Sequence, residues 1–289
     1  PTWAVKQDFR VITLFDIPNP NVVGEYYGID TFDGYALLNP KPWNDYWFAI
    51  KRKPITHSRG ATRAGLDWRY WNGATFDVGA FLDLDLLRIA NVRYILSGLP
   101  LKGNGIRLVS APDDGTYMKV RKSFFDKHLD YMAYRWRRIF EPGEHFIYEL
   151  SASLPRVFAG SGVETVGNDL VAKAFFRRFA IAALAKKTVV RNRHAEFLAG
   201  AGTLRVLSYK KVPDGYDIAV DAPNGGTLVI NNHYLPFWKA WANGKLLTIV
   251  PANAIHMAIA APPGARDITV RYSRPLLREK IAFSIRLFK

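Results

Sequence analysis

The chain has 289 residues, enough for one large domain or two ordinary ones, and a hydrophobic share of 49% supplies a core. Lys and Arg number 40 against 25 Asp and Glu, a net +15, which points to polyanionic neighbours: nucleic acid, anionic lipid or a phosphate-bearing substrate. There is no cysteine, so disulfides, zinc thiolate sites and a cysteine nucleophile are excluded. No apolar run approaches the roughly 20 residues of a membrane helix, and no signal-peptide pattern is present. The start at Pro1 reads as a piece cut from something longer.

In chain order, DFRVITLF (8–15) is rich in β-branched and aromatic residues and predicts a strand that ends at IPNPN. YYGIDTFDGYALLNPKPW (26–43) reads as irregular loop with short strands, and KRKPITHSRG (51–60) as a basic loop. In residues 76–92, Phe81, Leu84, Leu87 and Ile89 fit a short helix that Asn91 ends; VRYIL (92–96) follows as a buried strand. IRLVSAP (106–112) and TYMKV (116–120) form an expected hairpin around Asp113-Asp114-Gly115. Phe124, Phe125, Leu129, Met132 and Trp136 share a stripe that predicts a helix over 122–140. HFIYEL and PRVFAG (145–160) are strands.

The clearest helix pattern is 168–187, with Asn168 or Asp169 to cap it and Lys186 and Lys187 in its last turn. RNRHAEFLAGAG (191–202) reads as a linker. From 203 to 272 short strands are broken by Pro213-Asp214-Gly215, Pro223-Asn224-Gly225-Gly226, Asn243-Gly244 and Pro262-Pro263-Gly264. Turns this closely spaced indicate an antiparallel sandwich. The expected class is α+β: a mixed α/β N-terminal part (1–195), an antiparallel β-sandwich (196–273) and a basic amphipathic tail (274–289).

Catalytic signatures are missing: no GxGxxG after a strand, no GxxxxGK[ST], no HExxH, no GxSxG. Six histidines (His57, His128, His145, His194, His233, His256) stand apart from one another, and neither metal nor cofactor is expected. A glycosidase would need two carboxylates about 5 to 10 Å apart, for which Asp30, Asp33, Asp83 and Asp85 are the candidates. Asp83 also sits at a helix-start position, where a solvated or capping acid belongs. The tail RPLLREKIAFSIRLFK carries Arg274, Arg278, Lys280, Arg286 and Lys289 among apolar residues at helical spacing. That is the kind of segment that lies on an anionic bilayer, and those five side chains are the expected membrane or phosphate contacts. With no helix-turn-helix, RRM signature or zinc finger, nucleic acid is not an expected partner.

The run NNHYLPFWKAWANGK (231–245) is the densest aromatic stretch. In a regular strand residues 238, 240 and 242 face one way and 239 and 241 the other, so Trp238 and Trp241 cannot share a face. Most of the run is expected in the core. The remainder is a platform for stacking a sugar ring, with Trp241 the outward residue. Tyr234, Trp238, Trp241 and Tyr35 are the candidate ligand-binding residues.

The stretch LVINNHYLPFWKAWANGKLLTIVPANAIHMAIAAPPGARDITVRYSRP resembles the end of the extracytoplasmic domain of bacterial YfhO-type membrane proteins. That family commonly shows a Tyr-Tyr-Pro-Gly-Trp-Lys-Ala segment, an Asp-Gly-Lys turn, an Ala-Asn step, a Pro-Ala-Gly turn and a Tyr-x-Pro before a membrane helix. Here the matching positions are Tyr234 to Ala240, Asn243-Gly244-Lys245, Ala252-Asn253, Pro262-Pro263-Gly264 and Tyr272 to Pro275. The Gly34-Tyr35 loop, LLRIANVRYIL (86–96) and IYELSASLPRVFA (147–159) look similar too. Phe237 stands where the family usually has Gly, and Asn243 where it has Asp. The resemblance implies a polytopic glycosyltransferase of the GT-C type in the inner membrane, using a polyprenyl-phosphate-linked sugar, with its catalytic acid in a loop outside this sequence. The chain would then be a non-catalytic domain facing the periplasm or outside, positioning a glycan, a lipid-linked acceptor or a partner. A free-standing periplasmic carbohydrate-binding protein and a glycoside hydrolase are the rival readings.

Overall fold

The computed structural model describes residues 8–14, 28–32, 41–51, 75–112, 145–160, 162–167, 187–198 and 202–273. The chain divides into two units, 1–38 with 47–154 and 39–46 with 155–289. The hairpin partner at 116–120, the helices expected over 122–140 and 168–187, Asp33, Tyr35 and the 274–289 tail lie outside the described residues.

In the first unit β1 (Arg10–Leu14) runs parallel to both β2 (Asp30–Thr31) and β4 (Val92–Ser97). The antiparallel strands β7 (Phe146–Leu150) and β6 (Ile106–Ser110) extend the sheet in the order β2-β1-β4-β7-β6. A separate two-residue parallel pair joins β3 (Phe76–Asp77) to β5 (Leu101–Lys102). All five residues of β1 are buried, as expected of a strand covered on both faces. Helix α1 (Lys41–Ile50) begins within the stretch read as irregular loop (26–43) and runs beyond it, and its residues up to Tyr46 group with the second unit.

The single short helix expected after Phe76 is two: α2 (Val78–Phe81) and α3 (Leu84–Ile89). The break has a clear cause. Asp83 takes an extended backbone, and its Oδ1 accepts from the amides of Asp85 at 3.1 Å and Leu86 at 3.2 Å, so a new helix starts there. Asn91, with φ 63°, ends α3 in the left-handed conformation that asparagine tolerates. Its carbonyl accepts from Arg10 N at 2.9 Å and its Nδ2 donates to Leu154 O at 2.8 Å.

The second unit is a sandwich. Strands β8 (Val157–Gly160), β9 (Val163–Val166) and β10 (Thr188–Arg191) join β13 (Gly226–Ile230), β16 (Ile249–Ala252) and β17 (His256–Ala261) in the order β8-β13-β17-β16-β10-β9. The end strands β8 and β9 follow each other in the chain, so this sheet rolls. Gly160 on β8 lies so close to Thr188 on β10 that a Cβ would fall 2.0 Å from the threonine Oγ1. Three strands before residue 195 therefore belong to the sandwich, which starts earlier in the chain than the change of texture suggests. The expected linker is partly a 3₁₀-helix, η1 (Asn192–Phe197), followed by the buried Leu198. Ala195 and Leu198 cover Val190, Val250, Ala252 and Ala258 on one face of the rolled sheet.

The facing sheet holds β11 (Arg205–Val212), β12 (Gly215–Ala222), β14 (Trp238–Ala242), β15 (Lys245–Leu247) and β18 (Ala265–Tyr272). Its order is β11-β12-β18-β14-β15 and every pairing is antiparallel. Between the sheets lie Leu228, Ile230, Met257 and Ile259 from the rolled sheet, against Ile218, Val220, Ala240, Ala242, Ile268 and Val270. Asn243 (φ 51°) and Gly244 (φ 73°) close the β14–β15 hairpin with the two positive φ angles of a type I′ turn.

On the first unit's sheet Glu149 of β7 accepts from Arg93 Nη2 at 3.2 Å and pairs with Arg107 on β6. The Arg107 hydrogen bond chiefly, with Arg93 adding and burial opposing, holds the carboxyl below its ordinary 4.5. A carboxylate so lowered contributes stability above its ordinary pKa and loses it as pH falls through the lowered value. Glu149→Gln is therefore expected to reduce stability at neutral pH and to flatten the acid limb below pH 4.5. Urea unfolding from pH 3 to 7 checks this, and an unchanged acid limb refutes it.

Candidate functional site

Strand β14 sets which aromatic side chains stay in solvent. Ala240 and Ala242 are fully buried between the sheets, so the alternation of the strand turns Trp241 and Lys239 to the outer face. Register then fixes the neighbours of Trp241. Thr269 of β18 lies directly opposite on one side and Leu246 of β15 on the other. Beyond Thr269 the same row continues to Asp217 of β12 and Lys210 of β11. Lys239 and Arg271 form the next row, and Asp267 with Ala219 the row on the far side.

This face is partly apolar and partly charged. Leu246 is 65% exposed, Trp241 is half-buried, and Lys239 and Lys210 are exposed. Arg271 ion-pairs with Asp217, and its Nη1 donates to Tyr216 O at 2.9 Å and to Val270 O at 3.0 Å. A flat indole on a hydrogen-bonded sheet, beside a hydroxyl and fixed charges, suits a ring with one apolar face and a polar edge.

The other aromatic side chains of the run are used for packing. Trp238 faces inward against the core, with its ring 5.2 Å from Tyr272 and 6.4 Å from Tyr216. Its Nε1 donates to His233 O at 3.1 Å. Tyr234 packs on the same core while its amide donates to Ile255 O at 3.0 Å. Of the four expected ligand residues three are described, and of these Trp241 is the outward ring while Trp238 and Tyr234 shape the sandwich beneath. Trp43 of α1 stands edge-on to His233 at 5.4 Å. Tyr35, Arg274, Arg278, Lys280, Arg286 and Lys289 lie outside the described residues.

Lys239, Thr269, Arg271 and Asp217 escaped the sequence reading. Alternation within one strand shows which side a residue takes, but the pairing of β14 with β18, and of β18 with β12, brings these four together. The nearest signal was the Asp-x-Thr-x-Arg alternation of Asp267, Thr269 and Arg271 hidden in ARDITVRY.

The carboxylates considered for hydrolysis lie elsewhere, in the first unit. A cleft of about 600 Å³ is lined by Asp77, Asp83, Asp85, Arg88, Lys102 and Asn104 together with two glycines. Asp83 spends its carboxylate on the α3 cap, and Asp85 is bound by Arg88 Nη1 at 2.5 Å. The same guanidinium donates to Ser151 O at 2.8 Å and Gly105 O at 3.2 Å. Gly105, with φ 83°, leaves room for it: a Cβ there would lie 2.1 Å from Arg88 Nη2. Asp83 and Asp85 thus serve helix start and loop clamping, and Asp30 sits on the short strand β2. Among the described residues no group of His, Asp and Glu is arranged to hold a metal ion. Among them, too, no helix is long and apolar enough to cross a membrane.

No protein-family model matches the chain, and comparison with curated proteins and with solved structures gives no match either.

Trp241→Ala is expected to leave the near-UV CD spectrum native-like and to change stability by no more than about 0.5 kcal/mol, as outward substitutions do. Trp238→Ala, which opens the sandwich edge, should cost roughly 2–3 kcal/mol. Equal losses in urea titrations of the two variants would contradict the facing assigned to β14. Asp83→Ala should cost about 1 kcal/mol by removing the α3 cap. An Asp83 variant as stable as the parent would show that the cap carries no weight.

Proposed function

We propose that the chain is a non-catalytic, glycan-holding domain of a polytopic membrane glycosyltransferase-like protein, facing the periplasm or outside. The single observation that carries the glycan part is the outward Trp241, held between Thr269 and Leu246 on a sheet whose register puts its half-buried indole on the outer face. Sugar rings present C–H faces that stack on indoles, and their hydroxyls take hydrogen bonds at the edge, so a flat indole flanked by polar groups fits that class. Support for the membrane part comes from the resemblance to YfhO-type proteins over 228–275 and from the +15 charge, which favours an anionic lipid surface. In this reading the 274–289 tail leads toward the bilayer, the transfer chemistry resides in the parent protein, and a polyprenyl-phosphate-linked sugar is its donor.

A free-standing carbohydrate-binding protein is the second reading, favoured by the same Trp241 face and requiring no membrane. The hydrolase reading loses support from the structural use of Asp83 and Asp85.

The test combines binding, turnover and membrane affinity on one preparation. The chain should shift its tryptophan fluorescence with a panel of oligosaccharides, lose that response in Trp241→Ala, and release no reducing ends from them. It should also sediment with anionic vesicles and stay in solution with neutral ones. Sugar release would sink the non-catalytic reading. Sugar binding with equal, weak sedimentation on both vesicle types would favour the free-standing protein.

A further inference from the structure

Lys239 of β14 stands directly opposite Arg271 of β18 on the outer face. Like charges directly opposite each other across a sheet repel. Arg271 is compensated by Asp217 and by the carbonyls of Tyr216 and Val270. Lys239 is exposed, and no ion pair holds it among the described residues. Lys239 is thus the uncompensated cation of its row, one row from the Trp241 ring and roughly 7 Å along the strand at the rise of two residues. On the other side of Thr269 the same face carries the carboxylate of Asp267, opposite Ala219. Along the β14–β18 pair the face runs from the Lys239 ammonium, past the indole and the Thr269 hydroxyl, to the Asp267 carboxylate, while Asp217 and Lys210 continue the indole row.

Resting on the glycan reading above, we propose that this face binds an acidic saccharide, one whose ring carries a carboxylate or comparable anionic group. The ring stacks on Trp241, and its anion pairs with the Lys239 ammonium, the cation of that row that no carboxylate offsets. Ring hydroxyls at the opposite end donate to Asp267 and exchange hydrogen bonds with Thr269. The charge order fixes the direction of the chain across the sheet. A neutral sugar would stack without using the cationic row, and an anion without a ring would forgo the indole.

The probes are a galacturonic acid trimer and its methyl ester, which differ in charge and share the ring. The readout is the indole N–H signal of Trp241 in nitrogen-15-labelled protein, assigned by its loss in Trp241→Ala. The acid should bind about tenfold more tightly than the ester in dilute buffer, as a charge-assisted contact implies, and the gap should close as salt is raised. Lys239→Gln should bring the acid down to the affinity of the ester and leave the ester unchanged, with near-UV CD reporting the fold. Equal binding of acid and ester, insensitive to Lys239→Gln, overturns the acidic-saccharide inference and leaves the glycan reading standing. Absence of binding by both, or binding that calorimetry still finds in Trp241→Ala, overturns both. A Trp241 signal that responds to anionic vesicles and to neither trimer overturns both in favour of a lipid headgroup.

Discussion

Two alanines decide the chemistry of the sandwich surface. Ala240 and Ala242 are the small residues that let β14 sit close against the facing sheet, and both are buried. Close packing between sheets leaves little slack, so their place fixes the phase of the strand. A slip of one residue would bury Lys239 and Trp241 and expose both alanines. Such a slip would desolvate an ammonium group, whose burial without a partner is strongly unfavourable. The neighbours reinforce the phase: Ile268 and Val270 of β18 point inward in step with Ala242 and Ala240. The outward face, with its indole and its charges, is what this inward requirement leaves over.

The first unit rests on a different device, a set of polar side chains that hold loops to strands. Asn91 and Arg10 tie the end of α3 to β1: Asn91 O takes the Arg10 amide and Arg10 Nη1 donates to Ala90 O at 3.0 Å. Tyr148 reaches from β7 to accept the Leu101 amide at 2.7 Å, a buried contact, and burial pushes its phenol up. Arg88 clamps three segments at once, and glycine at 105 is what lets it lie flat there. In the two-state picture these bonds add little individually, yet leaving any one of the buried partners unmatched costs more than the bond itself contributes.

Much of the sandwich was legible because its turns are chemically explicit. Asn243-Gly244, Gly225 and Gly264 all adopt the positive φ their residue types favour, and the strands between them fall where expected. Asn253 and Ala254 also take positive φ, between β16 and β17, and an alanine gives no hint of that. Helix α1 was overlooked although Trp43, Tyr46, Trp47 and Ile50 recur at helical spacing, because glycine and proline upstream spoke for a loop. The carboxylate at 83 was read correctly as a cap, since capping is a local event written in neighbouring residues. The partners of Trp241 were beyond reach for the opposite reason. Thr269, Arg271 and Asp217 are distant in sequence, and only pairing brings them to one face.

The order of strands in the second sheet has a consequence for how the face comes into being. β18, the last described strand, is the middle one, and it joins the β11–β12 hairpin to the β14–β15 hairpin. A ribosome-bound chain that ends before residue 265 therefore has two separate ribbons, each with an open edge, and no continuous floor under Trp241. Pairings so distant in sequence form slowly, and open edges invite wrong partners while they wait. Assembly of the outer face around Trp241 thus waits for the eight residues of β18, which follow all the other strands of the sheet in the chain.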